Sequence, residues 1–179
     1  MKKETESIVL GAGCFWCTEA VFERLKGVIS VTSGYAGGDT KDPTYETVVY
    51  NNTGHSEVIR VEFDPHIIPL STILDVFFTT HDPTSFDKQD YDRGQMYRSL
   101  ILYTDERQKT TAESKIEELN KSVFSEKEIV TQVKKLEAFY PAEDYHQHYY
   151  TQNSNAGYCQ IIIDPKIQKL KEKFKDLLK

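Results

Sequence analysis

Residues 7–28 read SIVLGAGCFWCTEAVFERLKGV, and a change of period inside this stretch decides the architecture. Its first four residues form a short apolar run, which the glycines at 11 and 13 bring to a stop. From Phe15 onward Ala20, Val21 and Leu25 fall at helical spacing, with Gly27 at the C-terminal end. Residues 28–32 read as a second strand. The unit is strand, tight turn, helix, strand, and it puts Cys14 and Cys17 at the turn and on the helix's first turn.

Outward from this unit, residues 33–46 (SGYAGGDTKDPTYE) read as a loop rich in glycine, aspartate and proline. Residues 56–63 alternate, with Ile59, Val61 and Phe63 on one face, Arg60 and Glu62 on the other, and Asp64-Pro65 closing the strand. Leu70, Ile73, Leu74, Phe77 and Phe78 form a helical stripe. The polar stretch 81–97 exceeds the ~12–15 residues usual for an irregular connection, which marks it as functional or disordered. A strand at 99–103, a helix at 105–122 with Ala112, Ile116 and Leu119 inward, and strands at 129–133 and 160–163 follow. After Asp164-Pro165, Ile167, Leu170, Phe174 and Leu178 mark a terminal amphipathic helix. Strands alternating with helices, several of them half polar, predict an α/β (α+β) fold: a two-layer sandwich with a mixed sheet, near the ferredoxin-like plan. A doubly wound sheet would show more continuous apolar strands. With no repeat or composition break, the 179 residues are expected to form one domain, 1–179.

The chain is 39% hydrophobic and carries a formal net charge of -6, which argues against nucleic acid or anionic lipid as a partner. No run approaches the ~18 apolar residues of a membrane span. The N-terminal apolar run, Ile8 to Leu10, is too short for a signal peptide, so a cytoplasmic protein is expected. Three cysteines, an odd number, point to catalytic or metal-binding thiols rather than a disulfide framework. The sequon at Asn51 then has no bearing.

The Cys14/Cys17 pair admits several readings. A thiolate at a helix N-terminus is stabilised by unpaired N–H groups and the helix dipole, which would lower the pKa of Cys14 and suit a nucleophile. Residues three apart on a helix are neighbours, so Cys17 lies within disulfide reach. Both are also plausible as small buried hydrophobes. A zinc site from Cys14, Cys17, His146 and His148 has the ligand types but not the spacing of a structural site. A thioredoxin-like exchange site has the Cys-x-x-Cys pattern, but Phe15-Trp16 between the thiols suits a pocket for an apolar group.

The residues then go further than chemistry alone. GCFWC (13–17) resembles the active-site motif of the peptide methionine sulfoxide reductases of the A type. SGYAGG (33–38), GHSEVIRVEFDP (54–65), HDPT (81–84), YRS (97–99), AEDYHQ (142–147) and GYC (157–159) resemble the family's remaining signatures in order. The resemblance implies a protein-repair oxidoreductase that returns methionine S-sulfoxide, free or in proteins, to methionine. It needs no metal or organic cofactor, and thioredoxin would be its reductant. By resemblance Cys14 is the nucleophile that becomes a sulfenic acid. Glu57 is the acid for the sulfoxide oxygen, its pKa raised by burial, and Tyr35 and Tyr97 are hydrogen-bond donors to that oxygen. Phe15 and Trp16 wall the methyl pocket, and Asp82 lies near the site, with an Asx-turn role before Pro83 as its alternative. Cys159 matches the more common resolving cysteine. Cys17 replaces a glycine or other small residue, and serves as resolver or relay. Met96 stands where the family usually has glutamine. His55, His81, His146 and His148 are left as structural or surface residues.

Overall fold

The computed structural model describes residues 4–179. In chain order its elements are β1 (Glu6–Ala12), α1 (Phe15–Phe22), β2 (Val28–Ala36), α2 (Tyr45–Tyr50), β3 (Ser56–Phe63) and α3 (Leu70–Thr80). Then come the short strands β4 (Lys88–Gln89) and β5 (Asp92–Arg93), followed by β6 (Ser99–Tyr103), α4 (Glu106–Asn120), β7 (Gln132–Lys135), β8 (Phe139–Pro141), α5 (Tyr149–Asn153) and α6 (Asp164–Lys173). The fold is mixed α/β, and the main sheet runs β7-β6-β1-β3-β2-β8. Only the β6–β7 pair is parallel, so the sheet is mixed as expected.

Alternation sorts each central strand into two faces. Ile8, Leu10, Ala12, Ile59, Val61, Phe63 and Ile101 share one core with the apolar stripe of α3, whose Ile73, Leu74 and Phe77 are fully enclosed. Full burial of each such side chain contributes about 1.5–3 kcal/mol. Val9, Val58, Leu100 and Leu102 form a second cluster with Leu136 and Phe139 on the opposite face. Glu57 has the parity of Ile59, so the register turns it toward the helices rather than to solvent.

Helix α1 is buried along nearly its whole length, from Phe15 to Phe22. It packs on β1, β2 and β3 on one side and on α5, α6 and residues 159–163 on the other. Most helices of this fold bury one stripe; α1 buries its polar positions too.

Several expectations need correction. Residues 33–36 are not loop but the last part of β2, paired with both β3 and β8. The strand expected at 129–133 lies at Gln132–Lys135. Residues 160–163 are not a strand: Cys159–Ile163 is a π-helical turn that buries Ile162 and Ile163 and leaves Ile161 66% exposed. The β-branched run favours a strand locally, but packing against α1 and α6 overrides that preference. The polar stretch 81–97 contains the β4–β5 hairpin and a short 3-10 turn. Among the described residues no helix is long and apolar enough to cross a membrane.

Candidate active site

The topology gathers the site at one end of the sheet. β1 is antiparallel to β3 and β6, so its C-terminal end meets the start of both; β2, antiparallel to β3, ends there as well. Ala12, Glu57, Tyr35 and Tyr97 are thus brought together from four separate chain segments, with Tyr35 directly opposite Glu57.

The turn out of β1 needs Gly13. Its φ is +88°, and a Cβ there would fall 2.6 Å from Gln89 Cβ. Cys14 follows in the N-cap position, extended at φ -58° and ψ 126°, with its carbonyl accepting from Cys17 N at 3.1 Å. No Ser, Thr or Asp caps this helix. The orphan N–H of Phe15 donates instead to Glu57 Oε2 at 3.0 Å, a cap supplied by another strand. Glu57 is 2% exposed. Burial pushes its carboxyl up to about 8, although the Phe15 N–H pulls the other way.

Cys14 is half-buried and Cys17 is buried, and both are free thiols, as is Cys159. The helix N-terminus does not lower Cys14 as expected. Burial raises it well above the ordinary thiol range, helped by the Cys17 thiol and the Glu57 carboxyl. The partial charge at a helix start is worth less than the desolvation here. Burial also raises Tyr97, with Glu57, Asp92 and Cys14 adding to it. Tyr35 is raised too, first by burial and then by Glu143, whose Oε1 accepts its hydroxyl at 2.9 Å. Both phenols therefore stay protonated, and the Tyr35 proton is already given to Glu143.

Phe15 lies between Tyr35 and His146, with ring centroids 5.7 and 5.0 Å away. Trp16 stacks on Tyr149 at 3.6 Å and 5°, meets Tyr158 edge-on at 5.9 Å, and donates Nε1–H to His146 Nδ1 at 3.0 Å. The Tyr158 hydroxyl lies 3.6 Å from Cys17 Sγ and donates to Asp92 Oδ2 at 2.7 Å. Cys159 is fully enclosed in the cluster that contains Cys17, Ala20, Ile162, Ile163 and Ile167.

Cys14, Phe15, Trp16, Cys17, Tyr35, Glu57 and Tyr97 are therefore assembled in one region, with Cys159 beside it. Asp82 is not among them. Its carboxylate is exposed and accepts from Thr84 N and Oγ1 at 2.9 and 2.6 Å, the Asx-turn geometry that was its alternative reading. The acidic side chain that does reach the site is Asp92 on β5. His146, read as structural or surface, is buried against Phe15, Trp16 and Tyr45. The lone tryptophan beside the thiol was a usable signal for it, because a buried indole N–H needs an acceptor. Among the described residues Cys14, Cys17, His146 and His148 do not come together as a ligand group: His146 Nδ1 accepts the indole N–H, and the His148 imidazole lies with Glu23 and Glu19.

A thiol at a helix start, a buried carboxyl beside it and a half-buried tryptophan next in the chain suit a thiol-based oxidoreductase. Residues 6–178 match the profile of the family described as peptide methionine sulfoxide reductase. Among named relatives, the peptide methionine sulfoxide reductase MsrA of Psychrobacter cryohalolentis is 51% identical over 169 residues, 94% of this chain and 96% of the relative. Mxr1 from Saccharomyces cerevisiae in its reduced form superposes with a TM-score of 0.80 at 30% identity, covering 89% of this chain and 91% of that one. Mxr1 in complex with Trx2 gives 0.58 at 25% identity, covering 83% and 87%. The chain belongs to the peptide methionine sulfoxide reductase family. It is a peptide-methionine (S)-S-oxide reductase, a thiol-dependent enzyme that returns the sulfoxide to methionine.

Proposed function

We propose that Cys14 is the nucleophile of this reaction and Glu57 its acid. Glu57 Oε2 accepts the Phe15 N–H, so in the neutral carboxyl the proton sits on Oε1, free to move to a sulfoxide oxygen. The single observation that carries the reading is this neutral carboxyl, buried beside a thiol at the start of α1. The Cys14 thiol accepts the oxygen, with the Glu57 proton on it, and becomes a sulfenic acid while methionine leaves and the thiol's own proton restores Glu57. Tyr97 holds the oxygen, joined by Tyr35 once its hydroxyl turns from Glu143, and Phe15 and Trp16 hold the methyl group. Asp92 and Tyr158 border the same pocket. The sulfenic acid condenses with the Cys17 thiol, releasing water, and Cys159 takes up the disulfide for reduction by thioredoxin. Free methionine sulfoxide and oxidised proteins are both substrates.

The three free thiols suit a cytoplasmic setting, where thiols stay reduced and thioredoxin is at hand. The finer fold reading is a two-layer, ferredoxin-like plan. It is supported by the central order β6-β1-β3-β2 with α1 and α3 as the crossovers.

The test is a single turnover of prereduced chain with each sulfoxide epimer, counting methionine. The S epimer is expected to yield one methionine per chain, with Cys14→Ser giving none. A Cys14→Ser chain that still reduces the sulfoxide would remove Cys14 from its role.

A further inference from the structure

The buried carboxyl that the chemistry above does not use is Glu19. It sits on α1 at 1% exposure, beneath the start of α5. Its Oε1 accepts the backbone N–H of His148 at 3.0 Å, the residue that opens α5 in the left-handed conformation at φ 52°. Tyr149, next in the chain, is the one stacked on Trp16. From there the segment runs without a break to Tyr158 and Cys159. Glu19 therefore lies under the anchor of the very segment that carries the outer thiol.

The charged and titratable groups around it are few. Glu23 follows one turn later on α1 and pairs with the His148 imidazole, and a ring nitrogen of His148 lies within 4.8 Å of both carboxylates. The Arg24 guanidinium lies over the Tyr150 ring at 5.0 Å, and Asp164 of α6 accepts the Tyr150 hydroxyl at 2.5 Å. Among the described residues no cation is paired with Glu19. Burial lifts its carboxyl to about 7; the His148 N–H works against the lift, the Glu23 charge adds to it, and the His148 imidazole and the Tyr149 N–H lower it further.

Cys159 in its buried position is out of reach of a protein reductant, since it is fully enclosed beneath Ile162 and Ile163. The segment has to unseat for the cycle to close. We propose that Glu19 is the positioning residue for this segment: neutral, it keeps α5 seated on α1, and ionised, it favours the unseated arrangement in which Cys159 takes the disulfide from Cys17. This rests on the assignment of Cys159 as the outer resolving thiol. In that step the Cys159 thiolate attacks Cys17 Sγ, the Cys14–Cys17 bond breaks as the Cys17–Cys159 bond forms, and Cys14 leaves as a thiolate that takes a proton. No net oxidation occurs.

The sign follows from linkage. A seated Glu19 holds its proton to about pH 7, whereas a solvated one ionises near its ordinary value of 4.5. Unseating therefore releases a proton, and its equilibrium constant grows about tenfold between pH 6 and pH 8, then levels off. Cys159 ionisation adds its own rise with pH, but equally in any variant that leaves the thiols intact. The ratio of two rates removes it.

The experiment uses the full chain, prereduced and oxidised by one equivalent of methionine S-sulfoxide. Formation of the Cys17–Cys159 disulfide is followed by acid quench, alkylation and peptide mass. Wild type and Glu19→Gln are both expected to release one methionine per chain. The ratio of wild-type to Glu19→Gln transfer rates is expected to rise about tenfold from pH 6 to pH 8. His148→Asn, which removes the other titratable group of the contact and tolerates the left-handed conformation, is expected to keep the rise with pH, moved to higher pH because the imidazole no longer lowers Glu19. A ratio that stays constant with pH, or a His148→Asn chain that loses the rise, overturns the role of Glu19. A wild-type chain that releases no methionine, or never forms the Cys17–Cys159 bond, overturns the site reading instead. If Glu19→Gln does not fold, the fluorescence of Trp16, the one tryptophan, reports the seating of Tyr149 directly. In His148→Asn, a one-proton change at about pH 7 or above supports the proposal and its absence overturns it.

Discussion

Phe15 donates its backbone N–H to Glu57 Oε2 at 3.0 Å, so the carboxyl that caps α1 is also the one lying beside Cys14. One side chain from β3 thereby sets both where the helix starts and what proton source its first thiol faces. Glu57→Gln keeps the cap, because an amide oxygen can still accept, but removes the transferable proton. Methionine formation in a single turnover is expected to slow by about 10²–10⁴-fold. In wild type the same step is expected to fall as pH rises through about 8, where Glu57 loses its proton. Stability carries the matching signature. A carboxyl whose folded pKa is raised stabilises fully below its ordinary value of 4.5, and that contribution is lost progressively up to about pH 8. Thermal unfolding at pH 9 should therefore show Glu57→Gln to be more stable than wild type, and a variant that is slow but no more stable would place the carboxylate's cost elsewhere.

The Trp16–Tyr149 stack at 3.6 Å holds one wall of the pocket. Tyr149→Ala is expected to lose about 0.5–1.5 kcal/mol of that interaction. Steady-state kinetics should show a raised KM for methionine sulfoxide with kcat little changed, since the wall binds the substrate's methyl end before and during the reaction alike.

Gly13→Ala tests the turn. A Cβ at φ +88° would meet Gln89 Cβ at 2.6 Å, and that residue is buried and tied to the Asp82 backbone. Strain of this kind costs about 1–3 kcal/mol, read as a lowered midpoint in denaturant. Activity should fall further than stability explains, because the displaced residue is the neighbour of Cys14.

Thiol counting separates the two partners of Cys14. Cys17 shares the first turn of α1 with Cys14, while Cys159 is enclosed in the cluster behind it. With Cys159→Ser, one turnover is expected to consume two thiols, leaving a Cys14–Cys17 disulfide. With Cys17→Ser, sulfenic acid trapped by dimedone should accumulate first. Rapid loss of two thiols in Cys17→Ser would instead make Cys159 the direct resolver.

Two strands were legible down to their ends, residues 56–63 by alternation and 99–103 by a short apolar run, found as Ser56–Phe63 and Ser99–Tyr103. In both the pattern and the burial agree, so local and tertiary preferences coincide. They diverge at Cys159–Ile163, where a β-branched run is wound into a π-helical turn because two of its isoleucines fill the space behind α1. The site was legible where a short motif fixes the spacing, as in GCFWC, and at Glu57 through the resemblance of GHSEVIRVEFDP, while its inward parity became plain only from the register. Asp92 was hidden by a stretch dense in acidic side chains, any of which looks alike until the β4–β5 hairpin turns one of them to Tyr158. Asp82 drew attention through its motif, yet its Oδ1 is taken by the Thr84 turn, not by the thiols.

Strand β1 runs between β3 and β6, deep in the sheet, and Cys14 follows two residues after it ends. Amide protons along its enclosed Ile8 to Leu10 are expected to be among those that exchange only when the whole domain opens. Cys14 is thus moored to a part of the molecule that hardly breathes. An electron pair can pass outward from it only if other sulfurs travel, so the working stroke of the cycle belongs to the periphery and the anvil to the centre.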